Sequence, residues 1–153
     1  MKVSFTLNSE TRWLECQPNQ TLLHALREQL GVKSPKCGCE RGDCGTCTIL
    51  LDGKSIKSCL VLACEVEGCE ITTLEGLMQS GLTPLQKAFL DQNAFQCGFC
   101  APGMVIAATE LLEHNSSPNR GEIEEALAGN LCRCTGYAPI IDAVLDLVDN
   151  GGK

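Results

Sequence analysis

Eight cysteines in two groups are the residues of this sequence whose types and spacing could support chemistry. The first group has the spacing C-x4-C-x2-C-x11-C and consists of Cys39, Cys44, Cys47 and Cys59. The second joins a C-x2-C pair to a C-x-C pair and consists of Cys97, Cys100, Cys132 and Cys134. Each group can supply four thiolates to one metal centre. Two centres in one short chain favour electron transfer, because a metal site that only stabilises the fold would need just one group of cysteines.

The spacing of the first group favours iron and sulfide over zinc. It opens with the C-x4-C-x2-C run that plant-type ferredoxins use to hold a [2Fe–2S] cluster. The loop also contains Gly38, Gly42 and Gly45, and glycine allows the backbone to wrap closely around an inorganic core. A structural zinc site is the alternative, although zinc is more often held by paired C-x2-C units.

The spacing of the second group leaves the metal open. A C-x2-C pair combined with a C-x-C pair suits zinc and iron about equally well. Cys97 and Cys100 come just before Pro102, so a predicted helix start lies close to them and favours thiolates or an anionic cluster. A thioredoxin-like redox pair is a further interpretation, but no βαβ pattern surrounds it.

Other residues near the first group could modify it. Cys37 adds a thiol, so the choice of Cys39 over Cys37 as a ligand depends on the register of the motif. Arg41 places a cation beside the group, and we expect it to raise the reduction potential of a cluster bound there. The remaining cysteines and both histidines are expected to be structural; they are Cys16, Cys64, Cys69, His24 and His114.

Composition excludes several classes of function. The chain has 153 residues, 44% of them hydrophobic, which is typical of a globular protein. A formal charge of −7 argues against nucleic-acid binding, which needs a basic surface. No run of about 18 apolar residues predicts a membrane span. Residues 1–15 lack the apolar core of a secretory signal, so we expect a cytoplasmic protein with reduced thiols. Disulfides are the alternative if a partner exports the chain.

The periodicity of the first half predicts an α+β unit compatible with a β-grasp arrangement. Alternating apolar residues, a leucine-rich helical stretch and an Asp-Gly turn mark the elements. The predicted strands are residues 2–8, 11–16, 48–52, 55–58 and 70–73, with a helix at 19–30 and a cysteine-rich loop at 34–47.

The second half predicts helices only. Prolines or capping residues stand near the start of each apolar-periodic stretch. The predicted helices are residues 84–95, 102–114, 119–129 and 139–150, and residues 76–83 form the predicted linker. The sequence therefore predicts two domains, a β-grasp domain at 1–75 and an all-α four-helix domain at 76–153, each with one cysteine group.

Three sequence motifs together resemble a known family. They are CGCERGDCGTCTILLDG at residues 37–53, QCGFCAPGM at residues 96–104 and GNLCRCTGY at residues 129–137. In this order they resemble the iron–sulfur subunit of the molybdenum hydroxylases, which include xanthine dehydrogenase, aldehyde oxidoreductase and carbon monoxide dehydrogenase. The resemblance covers nearly the whole chain and is nearest to the small subunits of xanthine, purine or nicotinate dehydrogenases.

The resemblance implies a role for each cysteine group. It implies a ferredoxin-like domain and a four-helix domain, each holding one [2Fe–2S] cluster, with the first group nearer a flavin and the second nearer a molybdenum–pterin cofactor. It also implies that Gln96 hydrogen-bonds the pterin and that the sulfur of Cys134 approaches the pterin amine. The molybdenum cofactor would lie on a large partner chain and FAD on a medium one, in a hetero-oligomer that could itself dimerise. The chain would then be the electron-transfer subunit of an oxidoreductase, with no substrate chemistry of its own.

Two other functions remain compatible with the sequence. A free-standing two-cluster ferredoxin would have a mainly polar surface, whereas a permanent subunit should expose apolar patches around both cluster edges. A zinc-stapled interaction module would have no redox activity. The substrate of the complex cannot be read from this chain, because it would bind to another.

Overall fold

The computed structural model describes residues 1–151, so the last two residues of the predicted 76–153 domain lie outside the described part. Five strands form one mixed sheet in the order β2-β1-β5-β3-β4. The strands are β1 (Lys2–Leu7), β2 (Glu10–Glu15), β3 (Thr48–Leu51), β4 (Lys54–Lys57) and β5 (Glu70–Thr72). Hairpins join β1 to β2 and β3 to β4, and β1 runs parallel to β5. Helices follow the sheet, as the α+β prediction requires.

The predicted alternation in β1 is confirmed by burial. Val3, Phe5 and Leu7 are buried, while the residues between them are partly exposed. Because successive side chains on a strand point to opposite faces, one face of the sheet is apolar. The first helix covers this face with Leu22 and Leu26, both fully buried.

This first helix is shorter and wider than its sequence predicts. It begins as α1 (Leu22–His24) after Thr21, whose hydroxyl accepts a hydrogen bond from the His24 amide at 3.3 Å, and it continues as a π-helical turn over Ala25–Gln29. The predicted start at residue 19 is wrong by three positions. Cap chemistry accounts for the difference, because the threonine oxygen satisfies an amide that has no partner within the helix.

The second half consists of helices, as predicted. They are α2 (Leu74–Leu77), α3 (Pro84–Asp91), α4 (Ala101–His114), α5 (Arg120–Leu127) and α6 (Ala138–Asp149). The short α2 is not predicted by the sequence, and the predicted linker begins inside it. Helix α3 ends four residues earlier than predicted, and Asn93 just beyond it has a positive φ of 49°. Within residues 1–151, no helix has the length and apolar character needed to cross a membrane.

The sheet and the helices each have an apolar core, and they meet where α4 packs against β3. At this contact the backbone of Gly103 in α4 lies against the carbonyl of Gly45, so closely that a Cβ at residue 103 would overlap the carbonyl oxygen. The side chain of Asn130, which is only 3% exposed, donates hydrogen bonds to the Gly45 carbonyl at 3.0 Å and to Thr48 Oγ1 at 3.2 Å. We call the contact formed by Gly45, Thr48, Gly103 and Asn130 the junction. It lies between the two halves, next to the loop that holds the first cysteine group.

Candidate metal centres

The first cysteine group is gathered by one loop and one short helical turn. Cys39 and Cys44 lie in the loop before β3, and the Cys44 amide lies 3.4 Å from the Cys39 sulfur. Cys47 and Cys59 are buried together. Cys59 belongs to a 3₁₀ turn, Ser58–Leu60, which is fastened to Cys47 by a hydrogen bond from the Ser58 hydroxyl to the Cys47 carbonyl at 2.8 Å. Three thiols of one loop and a fourth from the following turn therefore meet at one place.

Close backbone approach requires a glycine at position 38 of this loop. A Cβ on Gly38 would lie 2.8 Å from the Cys44 sulfur and 2.7 Å from Thr46 Oγ1, closer than side-chain atoms can pack. Glu40 adopts φ of 54°, a left-handed conformation that non-glycine residues rarely take. The loop therefore keeps a backbone path that leaves its amides free to face sulfur.

The electrostatics of the first group differ between its partly exposed and its buried members. Hydrogen bonds from the backbone amides of Arg41 and Cys44 lower the pKa of Cys39 to about 7. Burial raises the pKa of Cys59 to about 11. A buried thiol of that kind becomes a thiolate when a metal takes the place of its proton. Amides directed at sulfur and four converging thiols fit a [2Fe–2S] cluster.

The second group meets at the start of α4. The sulfurs of Cys97 and Cys134 lie 3.5 Å apart, and Cys100 contacts Cys132. Cys100 immediately precedes α4, and its burial raises its pKa to about 12. The second group therefore also brings four thiols together, with Cys97 and Cys134 at the exposed edge.

Two residues that sequence reasoning overlooked hold the C-x-C segment in shape. The Tyr137 hydroxyl accepts a hydrogen bond from the Cys132 amide at 3.1 Å, and Thr135 Oγ1 lies 3.1 Å from the Cys132 sulfur. Tyr137 itself has φ of 71° and stands at the N-terminus of α6. Polar residues directly after the C-x-C pair, in the TGY part of the third motif, are the signal that could have found them.

Gln96 lies at the exposed edge of the second group. Its amide nitrogen donates a hydrogen bond to the Cys134 carbonyl at 3.1 Å. Both residues are exposed, so their side chains are available to a neighbouring molecule. The structure thus brings together the two residues that the resemblance assigns to the pterin.

Comparisons with known proteins identify the family. Residues 5–72 match a family model described as a 2Fe-2S iron-sulfur cluster binding domain, and residues 73–145 match one described as a [2Fe-2S] binding domain. The nicotine 6-hydroxylase small subunit of Paenarthrobacter nicotinovorans is 47% identical over 95% of this chain and 88% of its own length. The nicotinate dehydrogenase small FeS subunit of Eubacterium barkeri is 44% identical over 93% of this chain and 91% of its own length.

A solved structure agrees with these relatives. A chain of quinoline 2-oxidoreductase from Pseudomonas putida 86 superimposes with a TM-score of 0.91 at 46% identity, covering 100% of this chain and 98% of that one. The chain belongs to the iron–sulfur small subunits of the molybdenum hydroxylases. This small subunit therefore carries two [2Fe–2S] clusters and transfers electrons within an oxidoreductase, as its sequence predicts.

The charge of Arg41 is balanced in part by a neighbouring carboxylate. The Arg41 guanidinium pairs with the Asp43 carboxylate at 2.5 Å, and its side chain is 77% exposed. An exposed cation next to a carboxylate is both neutralised and screened by solvent. We therefore expect Arg41 to change the potential of the first cluster less than the sequence suggested.

Cys37 forms a separate cluster with His24 and Glu40. Donor atoms of the three side chains lie within 4.8 Å of one another, and all three residues are exposed. The His24 ring nitrogen and the Glu40 carboxylate are already paired at 2.6 Å, and the Cys37 thiol contacts the same carboxylate. The geometry describes a surface ion pair with a neighbouring thiol, outside the group around Cys39.

The loops of the two cysteine groups touch each other directly. The Leu131 amide donates a hydrogen bond to the Cys44 carbonyl at 2.8 Å. Leu131 precedes Cys132, so one hydrogen bond links a residue of the first group to the neighbour of a residue of the second. No sequence signal predicts this contact, which arises only when α4 packs on β3.

Proposed function

We propose that this subunit carries electrons from a molybdenum–pterin cofactor on a large partner chain to FAD on a medium partner chain. Each [2Fe–2S] cluster, when bound, accepts and releases one electron at a time. Substrate oxidation takes place on the large chain, and no residue of the small subunit acts on substrate. The relatives include nicotine, nicotinate and xanthine enzymes, so we assign the choice of substrate to the large chain.

We propose that the two cysteine groups are the cluster ligands. Cys39, Cys44, Cys47 and Cys59 hold the cluster nearer the flavin, and Cys97, Cys100, Cys132 and Cys134 hold the cluster nearer the molybdenum cofactor. Support comes from the convergence of each group and from the amides that face Cys39. Cys37 is left out of the first set because its thiol contacts Glu40.

The observation that carries the assignment to a permanent complex is the position of the exposed apolar side chains. Leu60 follows Cys59 and is 61% exposed, Phe99 lies between Cys97 and Cys100 and is 46% exposed, and Leu131 precedes Cys132 and is 51% exposed. Large apolar side chains exposed at both cluster edges are typical of surfaces that a partner covers. A free-standing ferredoxin would show polar residues there.

The exposed edge with Gln96 and Cys134 is the surface we propose to face the pterin. Gln96 uses its amide nitrogen to bind the Cys134 carbonyl, which fixes the side chain and leaves the amide oxygen free to accept a hydrogen bond. A pterin amine is a suitable donor for that oxygen.

The reducing cytoplasm is the proposed location, because the ligands must stay free thiols until the clusters are inserted.

The test is to purify the intact complex anaerobically, measure metals, and record electron paramagnetic resonance spectra after reduction. We expect about four irons per small subunit and two distinct [2Fe–2S] signals, with molybdenum and FAD on co-purifying chains. Cys44→Ser should remove one signal and Cys100→Ser the other, while Cys16→Ser serves as a buried control that keeps both. Signals without a molybdenum partner would refute the proposed complex, and a zinc-loaded, silent protein would refute the clusters.

A further inference from the structure

Lys57 is a partly buried cation at the junction. It is the last residue of β4, two positions before Cys59. Its ammonium donates hydrogen bonds to Thr48 Oγ1 at 3.0 Å and to Asn130 Oδ1 at 3.3 Å, so it is held by the sheet on one side and by the helical half on the other. A Cβ on Gly129 would lie only 3.3 Å from the ammonium, which shows how closely the helical half packs over it.

Within the described part of the chain, no carboxylate forms an ion pair with this ammonium. Of the ion pairs within 4.0 Å among residues 1–151, none includes Lys57, and both of its hydrogen-bond acceptors are neutral. Removing an ammonium from water without a counter-charge is unfavourable. The Lys57 ammonium nevertheless lies beside the first cysteine group. Its acceptor Thr48 directly follows Cys47, and Thr48 Oγ1 donates a hydrogen bond to the Gly45 carbonyl of the same loop at 2.7 Å.

The missing counter-charge can be supplied by the first cluster. A [2Fe–2S] core held by four thiolates has a formal charge of about −2 when oxidised and about −3 after it accepts one electron. A cation beside it favours the reduced form, because the added electron increases the attraction.

We propose that Lys57 is the fixed counter-cation of the first cluster and raises its reduction potential, and that Asn130 positions it from the helical half. The proposal rests on the proposed ligand role of Cys39, Cys44, Cys47 and Cys59. Lys57 acts through its charge on the reduction potential of the first cluster, and it contacts no substrate. Because Asn130 also binds the Gly45 carbonyl, correct packing of the junction places the cation at the first cluster.

The test is a redox titration of both clusters in the intact complex, followed by electron paramagnetic resonance. Lys57→Gln removes the charge and keeps a hydrogen-bond donor, Lys57→Met removes both, and Lys57→Arg keeps the charge. Lys54→Gln removes an exposed lysine of the same strand and is the matched control. We expect the two neutral variants to lower the reduction potential of the first cluster by about 59 mV. For one electron, this is a shift of about tenfold in the redox equilibrium toward the oxidised form.

The expected pattern separates a charge effect from loss of structure. Lys57→Arg and Lys54→Gln should leave the first potential near that of the wild type, and every variant should leave the second potential unchanged. The proposal is overturned if Lys57→Gln leaves the reduction potential of the first cluster unchanged. It is also overturned if Lys57→Arg lowers that potential as much as Lys57→Gln does. If the wild-type complex itself lacks one of the two cluster signals, the ligand assignment fails instead, so the two failures can be told apart.

Discussion

Replacing Gly103 with alanine tests the junction, because helix propensity predicts a gain in stability and the structure predicts a loss. Alanine is about 1 kcal/mol more favourable than glycine inside a helix, so an ordinary helical glycine would gain stability. At position 103, however, the new Cβ would overlap the Gly45 carbonyl oxygen and lie 2.9 Å from the Asn130 amide nitrogen. The added Cβ reaches van der Waals distance from the Gly45 carbonyl oxygen only if helix α4 moves away from that carbonyl by about 1 Å.

The magnitude follows from what such a retreat breaks. It stretches the 3.0 Å hydrogen bond from Asn130 to the Gly45 carbonyl, and a buried polar group left without a partner costs about 1–3 kcal/mol. Overpacking adds about 1–3 kcal/mol. After subtracting the gain of about 1 kcal/mol in helix propensity, we expect Gly103→Ala to lower the free energy of unfolding by about 1–5 kcal/mol, with a central value of about 3 kcal/mol.

The assay is urea unfolding of the cluster-loaded subunit, followed by circular dichroism and by visible absorbance of the clusters. Gly121→Ala, in the exposed part of α5, is the matched control. Its Cβ would have only Asn119 Oδ1 nearby, at 3.3 Å, so its effect should stay within about 1 kcal/mol. A Gly103→Ala variant as stable as Gly121→Ala would refute the close contact between α4 and the loop.

Two further predictions concern hydrogen bonds outside the junction. Burial acts to raise the pKa of Glu75, but hydrogen bonds from Ser34 and Thr73 outweigh it, so the pKa lies below the usual 4.5. A lowered pKa contributes stability above pH 4.5 that is lost as pH falls through the folded-state value. Glu75→Gln should therefore be about 1 kcal/mol less stable than wild type at pH 7. The difference in thermal midpoint between the variant and wild type should narrow only below pH 4.5. A difference that stays constant with pH contradicts this prediction. Tyr137→Phe removes the acceptor of the Cys132 amide, so the second cluster should lose its absorbance faster in chelator while the first is unaffected, and equal loss from both would argue against a local role.

Much of the fold can be predicted from periodicity and capping. The alternation in β1 and the Asn119 capping box with Glu122 give elements that the structure confirms. Local signals fail where the tertiary structure decides the ends, as in the π-helical turn at Ala25–Gln29 and the unexpected α2. Helix ends depend on which partner satisfies the last backbone groups, and sequence does not show that partner.

The sequence by itself determined the chemistry of this protein. Cysteine spacing predicts a metal centre for each group, and the glycines of the first loop permit a backbone that wraps closely around such a centre. Those features are local, because the cysteines within each motif lie a few residues apart. The two cysteine groups, the sheet and the helical half can all be recognised from such short-range patterns.

Only the tertiary structure decided how the two groups are related. The hydrogen bonds from Leu131 to Cys44 and from Lys57 to Asn130 each join residues more than 70 positions apart. Such contacts form because α4 can approach the first loop where Gly103 meets Gly45. Neither glycine carries a side chain that would hold the two segments apart. The position of the Lys57 ammonium between the sheet and the helical half is therefore a property of packing, and spacing within a motif does not encode it.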